Sequence, residues 1–368
     1  MKIHFPILTL TQKIIRHGVI SYSSFGRLLI YYLKILLTLP FDLLQALIYG
    51  QRIRNTRIEH SPVFILGHYR SGTTLMHKMM AEDPNLGTIS NFDILFPGSS
   101  LLLGKKMEHL LQKLINMAGI RNFHFNNVIH RLSEPGEEDM MMISSCAPCA
   151  TYWGFLFPFE DKYLDDEFLN NKSTREEWKK SYFRLIRLAT YKNGGRQLVL
   201  KNPPNTGRIR LLLELFPNAK FIYVHRNAFH LYFSMKNLWE NVISKYYSLH
   251  KISSEQIDQI IFNHYEMLIG KYEKDKKMIL PGDLVEVTFD SLENSPFETI
   301  LDVYEKLGLP KSEFMETRLK IRISMESSYR KFSYNYSPEY IHKISVNWKN
   351  IIQQRGYSKP INHHGSVN

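Results

Sequence analysis

The sequence predicts an α/β fold: a P-loop-like, doubly wound parallel sheet flanked by helices and carrying a helical insertion. Three observations predict it. Short apolar runs of strand length recur along the chain, and each is followed by a segment of helical period, the alternation that builds a parallel sheet. The first run, "PVFIL", leads directly into Gly67-His-Tyr-Arg-Ser-Gly-Thr-Thr74, a loop with G-x-x-x-x-G spacing. A chain of 368 residues with 44% hydrophobic content can also bury the large core that such a sheet requires.

Residues 1–60 read as an N-terminal extension that associates with a membrane. Leu28 to Tyr49 approach the length of a span, with Arg27 on one side and Arg52, Arg54 and Arg57 on the other. Lys34, Pro40 and Asp42 interrupt that stretch, so a kinked amphipathic segment lying at the interface fits better than a simple span. Lys13 and Arg16 break the early apolar residues, which argues against a cleavable signal peptide.

Residues 61–368 read as one catalytic domain. Its strands are expected at Val63 to Leu66, Leu198 to Lys201, Lys220 to His225 and Leu284 to Phe289, with crossover helices at Gly72 to Glu82, Asn205 to Phe216, Phe229 to Tyr247 and Pro296 to Leu307. Residues 97–192, broken at Pro135-Gly136 and closed by Asn193-Gly194-Gly195, form the helical insertion and the region expected to shape an acceptor pocket. Cys146 and Cys149 lie in an apolar run without a second cysteine pair, and read as buried thiols, not as a redox or zinc site.

A net charge of +12 favours an anionic ligand, an anionic membrane surface or nucleic acid. The last is disfavoured, because basic and aromatic residues are scattered through apolar periodic segments instead of forming a reading module. In a strand–loop–helix unit, backbone N–H groups and the positive end of the helix dipole converge on an anion. The loop lacks the lysine that nucleoside triphosphate enzymes place after the second glycine; Thr73 stands there, and the loop's cation is Arg70. Strand ends carry Lys201 and Arg226 where a kinase or nucleotide hydrolase needs a magnesium-binding aspartate. Arg226, just past its strand, and Ser234, on the following helix, are set to grip one further phosphate. A loop for one anion and a clamp for another imply a nucleotide charged at both ends.

These residues resemble the sulfotransferases that use 3′-phosphoadenylyl sulfate, in the bacterial form whose pattern overlaps that of tyrosylprotein sulfotransferases. The likeness is carried by "FILGHYRSGTTLMHKMM", "LVLKNPPNTGRIRLLLELFPNAKFIYVHRNAFHLYFS", "LVEVTFDSLENSPFETILDVYEKLGLP", "SYRKFSYNYSPEYI" and "RGY", in the family's order over roughly residues 52–357. It implies that Gly67, Arg70, Ser71, Gly72, Thr73, Thr74 and Leu75 hold the 5′-phosphosulfate and that Arg226 and Ser234 hold the 3′-phosphate. It also implies that Lys201 stands near the bridging oxygen, that Arg330 belongs to a segment folding over the nucleotide, and that no metal is needed. A rival reading keeps the nucleotide fold as a membrane-associated binding protein without catalysis.

The general base departs from the pattern. Tyrosylprotein enzymes carry a glutamate where this chain has Asn91, which cannot accept a proton. Candidates are Asp93, His68, His77 and the acids of "EPGEEDMMM"; Glu137 is favoured, since partial desolvation beside a Met-rich run suits a carboxylate to accepting a proton. The same acids can also be read as the dressing of a helix N-terminus. Tyr152, Trp153, Phe155 and Phe157 suit a lipid, glycolipid or phenol acceptor and serve a core equally well. The expected location is the cytoplasm, peripherally on the inner face of the membrane.

Overall fold

In a computed structural model, residues 6–17, 22–118, 131–144, 153–159, 167–326 and 336–360 are described. The N-terminal part holds α1 (Pro6–His17) and α2 (Phe25–Asn55). The sheet contains β1 (Val63–Leu66), β2 (Leu86–Gly87), β3 (Gln197–Lys201), β4 (Lys220–His225) and β5 (Leu284–Thr288), all parallel, in the order β2-β3-β1-β4-β5. The four long strands fall where the apolar runs predict them. The two-residue edge strand β2 is too short to leave a periodic signal.

Helix α3 (Thr73–Met80) follows β1. Between β2 and β3 come α4 (Asn91–Leu95), α5 (Ser100–Met117), α6 (Glu138–Ser144), α7 (Trp153–Leu156) and α8 (Lys172–Lys192), so the described part of the insertion is helical. A 3₁₀ turn (Pro203–Gly207) and α9 (Ile209–Leu215) follow β3, and α10 (Ala228–Leu238) follows β4. Two expected crossovers differ in kind. The first opens as a 3₁₀ turn because Pro203 and Pro204 supply no N–H for a helical ladder. The second changes at Trp239 into a π-helix that runs to Tyr247. The chain continues through α11 (Ser254–Asp275), α12 (Phe289–Asn294), α13 (Pro296–Leu307), α14 (Met315–Glu326), α15 (Pro338–Asn347) and α16 (Lys349–Arg355).

Because successive strand residues face opposite sides of a sheet, β1 feeds two cores. Phe64 and Leu66, with Leu198, Leu200, Phe221 and Tyr223, join the side covered by α8, α9, α10 and α11. Val63 and Ile65, with Val199, Ile222 and Val224, join the side covered by α3, α13 and α14. Every residue of β1 is buried, as a central parallel strand demands.

Helix α2 passes through Pro40 and is long and apolar enough to cross a membrane by length and composition. One face docks on the body of the protein. The Gln45 side chain accepts from the Leu101 and Leu102 N–H groups at the start of α5, at 2.8 and 2.9 Å. Arg27 donates to the Lys245 and Ser248 carbonyls, and Asp42 packs on Gly98. The opposite face presents Leu29, Ile30, Leu33, Leu36, Leu37, Phe41, Leu44, Leu47 and Ile48, a helically spaced apolar stripe open to solvent.

Candidate active site

The loop after β1 owes its shape to its glycines. Gly67 has φ 141°, and a Cβ there would lie 2.3 Å from the Val224 carbonyl oxygen. Gly72 has φ 104° at the N-cap of α3, with the Phe289 ring 2.4 Å from where a Cβ would sit. Both positions therefore admit only glycine without displacement of a neighbour. Between them Arg70 adopts φ 67°, the only non-glycine positive φ among the described residues. Thr206, from the turn after β3, donates to the Gly67 carbonyl and accepts from the Gly67 N–H, anchoring the loop's entry. The Ser71 hydroxyl is buried and has no hydrogen-bond partner. With the positive N-terminal end of α3, it offers what an anion in the loop would be drawn to.

Two clusters flank the loop. On the β4 side, Arg70 Nε donates to Ser234 Oγ at 2.9 Å and Arg226 Nη1 donates to the Arg70 carbonyl at 3.3 Å. The Arg226 guanidinium lies 4.3 Å from the Phe289 ring centroid, a cation–π contact. Arg70, Arg226 and Ser234 thus meet in one group, and the Arg70 side chain turns toward Ser234 instead of staying with the loop backbone. On the β3 side, Lys201 Nζ donates to Thr74 Oγ1 at 3.2 Å and forms an ion pair with Glu137 Oε1. The second Glu137 oxygen is buried and has no partner. Tyr247 lies close enough to Glu137 for that carboxylate, after burial, to push its phenol upward.

After Pro135-Gly136 the three acids run into α6 in succession, and each takes a different partner at the end of β3 or in the turn that follows it. Glu137 pairs with Lys201. Glu138 Oε1 accepts from Asn205 Nδ2 at 2.6 Å and from the Tyr182 hydroxyl at 2.9 Å. Both Asp139 oxygens accept from Arg208 Nη1, at 3.0 and 2.9 Å. The segment "KNPPNTGR" is thereby fixed at three points by consecutive carboxylates.

A sequence profile of the sulfotransferase family matches residues 62–313, which include the loop, both clusters and the three acids. The chain belongs to the sulfotransferase family. It is 27% identical over 322 residues, covering 86% of this chain and 80% of the relative, to omega-hydroxy-beta-dihydromenaquinone-9 sulfotransferase Stf3 of Mycobacterium bovis. The Mycobacterium tuberculosis protein of that name matches to the same extent. Among solved structures, sulfotransferase STF9 from Mycobacterium avium superposes with a TM-score of 0.68 at 15% identity, over 84% of this chain and 81% of that one. STF1 from Mycobacterium tuberculosis H37Rv gives 0.63 at 18%, over 84% and 82%. At these identities the superpositions establish the shared fold, a parallel sheet flanked by helices.

The other base candidates of this sulfotransferase are occupied elsewhere. Asp93 closes a capping box with Ser90 and pairs with Lys192. Asn91 Nδ2 donates to the Arg131 carbonyl. The His77 imidazole donates to the Val199 carbonyl, and burial together with the Lys201 charge holds it down at about 3. His68 is enclosed with His264, their ring nitrogens 3.0 Å apart, and burial holds it well below the usual imidazole range. Arg330, Cys146, Cys149 and Tyr152 lie outside the described residues, whereas Trp153, Phe155 and Phe157 are buried in the protein's cores. Sequence reasoning missed Thr206, Asn205, Arg208, Tyr247 and Phe289. The polar density of "KNPPNTGR" directly after a buried strand was the available signal for the first three.

Burial, reinforced by the Asp139 charge, pushes the Glu138 carboxyl up to about 7. The folded protein then retains a proton that the unfolded chain releases, so this group's contribution to stability falls as pH rises from about 4.5 to about 7 and is flat beyond. Glu138→Gln is expected to remove that slope. Denaturant unfolding through this window should show the variant gaining on the wild type as pH rises; a constant difference would mean that Glu138 ionises as freely as in the unfolded chain.

Proposed function

We propose that this sulfotransferase transfers the sulfuryl group of 3′-phosphoadenylyl sulfate to a hydroxyl of a lipid-linked acceptor by in-line displacement, without a metal ion. The observation that carries the reading is the meeting of Lys201, the loop hydroxyl of Thr74 and Glu137 at the end of β3. When bound, the donor supplies a sulfur whose bond to the bridging oxygen breaks as its bond to the acceptor oxygen forms.

The chain's own groups divide the work. The Ser71 hydroxyl, the Thr73 and Thr74 hydroxyls and the N–H groups through Leu75 hold the 5′-phosphosulfate in the loop made by Gly67 and Gly72. Lys201 neutralises the charge that develops on the leaving oxygen. Glu137, with Oε1 on Lys201, takes the acceptor proton on its unpartnered Oε2. Arg226 and Ser234 hold the 3′-phosphate. The 2.9 Å contact of Arg70 with Ser234 supports assigning its guanidinium to that same end. Arg330 belongs to the nucleotide cover.

The acceptor class follows from two supports. The similar Stf3 proteins bear the name of a menaquinone sulfotransferase. The exposed stripe of α2, backed along its other face by the protein, suits a helix lying in the interface, with Arg52, Arg54 and Arg57 reaching anionic headgroups. Because the donor is made in the cytosol, the enzyme works from the cytoplasm on the inner leaflet.

Calorimetry with 3′,5′-bisphosphoadenosine against ATP tests the donor site, and labelled-sulfate transfer into lipid and soluble fractions tests the acceptor. The bisphosphate is expected to bind, ATP to bind at least tenfold less tightly, and label to enter the lipid fraction; a tenfold gap corresponds to about 1.4 kcal/mol. Binding with no label transferred to any fraction would favour a non-catalytic binding protein, and magnesium-dependent ATP turnover a kinase.

A further inference from the structure

The tripeptide Arg355-Gly356-Tyr357 lies far in sequence from both clusters, yet it folds onto β4, the strand that ends just before Arg226. Gly356 takes φ 63° and closes α16, with the Tyr357 N–H donating to the Ile352 carbonyl at 3.0 Å. That left-handed residue reverses the chain and throws the next side chain back over the sheet, which is why a glycine stands there. Arg355 is fixed first. Its guanidinium donates to Glu286 of β5 at 2.8 Å, pairs with Glu273 of α11, and lies 5.3 Å from the ring centroid of Tyr223 in β4. Tyr357 and Ser358 then take the two residues on either side of Arg226. The Tyr357 hydroxyl shares a 2.9 Å hydrogen bond with His225 Nδ1, and Asn227 Nδ2 donates to the Ser358 carbonyl at 2.8 Å.

We infer that Tyr357 is a positioning residue for Arg226: the C-terminal turn holds both sequence neighbours of that arginine, and so sets the angle at which its guanidinium is offered to the 3′-phosphate. The inference rests on the donor-site reading above. An arginine at a strand end has several rotatable bonds and a backbone free to swing once the ladder stops. Tying the preceding imidazole and the following amide to one rigid turn removes that freedom before the ligand arrives, which is how pre-organisation improves affinity. The Phe289 ring under the guanidinium limits it from a further side.

The experiment compares 3′,5′-bisphosphoadenosine with adenosine 5′-monophosphate, which lacks the 3′-phosphate, by calorimetry on the full chain. The variant is Tyr357→Phe, which keeps the ring and removes the hydroxyl that bonds His225 and also meets the Tyr265 hydroxyl. The wild type is expected to prefer the bisphosphate, and the variant to bind the bisphosphate about five- to tenfold less tightly, the worth of one hydrogen bond, while binding the monophosphate as the wild type does. The donor KM should rise by a similar factor with kcat little changed. Equal losses for both nucleotides, or no loss for either, would overturn the inference and leave Tyr357 a structural residue. A wild type that binds both nucleotides equally would instead remove the assignment of Arg226 to the 3′-phosphate, and the inference with it.

Discussion

Replacing Lys201 with alanine is expected to lower turnover about 10²- to 10³-fold while changing the affinity for 3′,5′-bisphosphoadenosine by less than tenfold. The split follows from position. Lys201 leaves the end of β3 beside Thr74, where charge would grow on the departing oxygen, and it is remote in the chain from the Arg70, Arg226 and Ser234 group. The variant also strips Glu137 of its counter-charge, so Lys201→Ala and Glu137→Gln should not be additive. Each single variant should cost nearly as much as the pair. Single-turnover rates, with binding measured separately, decide the matter: a loss of affinity as large as the loss of rate would make Lys201 a donor-binding residue. Arg226→Ala provides the contrast, since it should weaken the donor and spare turnover at saturation.

The second large effect is on stability. Asp139→Ala should cost about 3–5 kcal/mol, because it removes the carboxylate from an ion pair whose two side chains are both fully buried and leaves the Arg208 charge in the interior. Arg208 lies over the Trp178 ring at 5.3 Å, which cannot replace a carboxylate's charge. Replacing both partners with apolar residues, as in Asp139→Leu with Arg208→Met, should recover most of the loss. Denaturant unfolding of the two proteins separates the possibilities. If the single variant unfolds within about 1 kcal/mol of the wild type, the pair is not the buried lock that its geometry indicates.

The long strands and the loop were legible because their signals are local. A run such as "KFIYVH" announces a buried parallel strand, and Gly67 and Gly72 announce a turn that excludes a Cβ. Lys201, Glu137, Arg226 and Ser234 were legible as candidates, which the likeness to a family put in order, and the structure brings Lys201 to Glu137 and Arg70 to Ser234. Their partners were not, because pairing is a property of the tertiary structure. Nothing in "EEDMMM" says that the first acid meets a lysine, the second an asparagine and the third an arginine. The direction of the Arg70 side chain was equally hidden: a loop cation could turn either way, and tertiary structure brings it to Ser234. Tyr357 lay beyond reach for the same reason, its meaning resting on a turn that brings it back to His225.

The strand order carries a final consequence. With β1 in the middle, β3 and β4 are its two neighbours; Lys201 and Ile222 both lie level with Ile65, so Lys201 and Arg226 stand two strand spacings apart across the sheet, about 10 Å, and four residues apart along it, about 13 Å. That separation is a ruler cut in main chain. Side chains elsewhere can drift, but the spacing of these two Cα positions is fixed by the backbone hydrogen bonding of the three central strands.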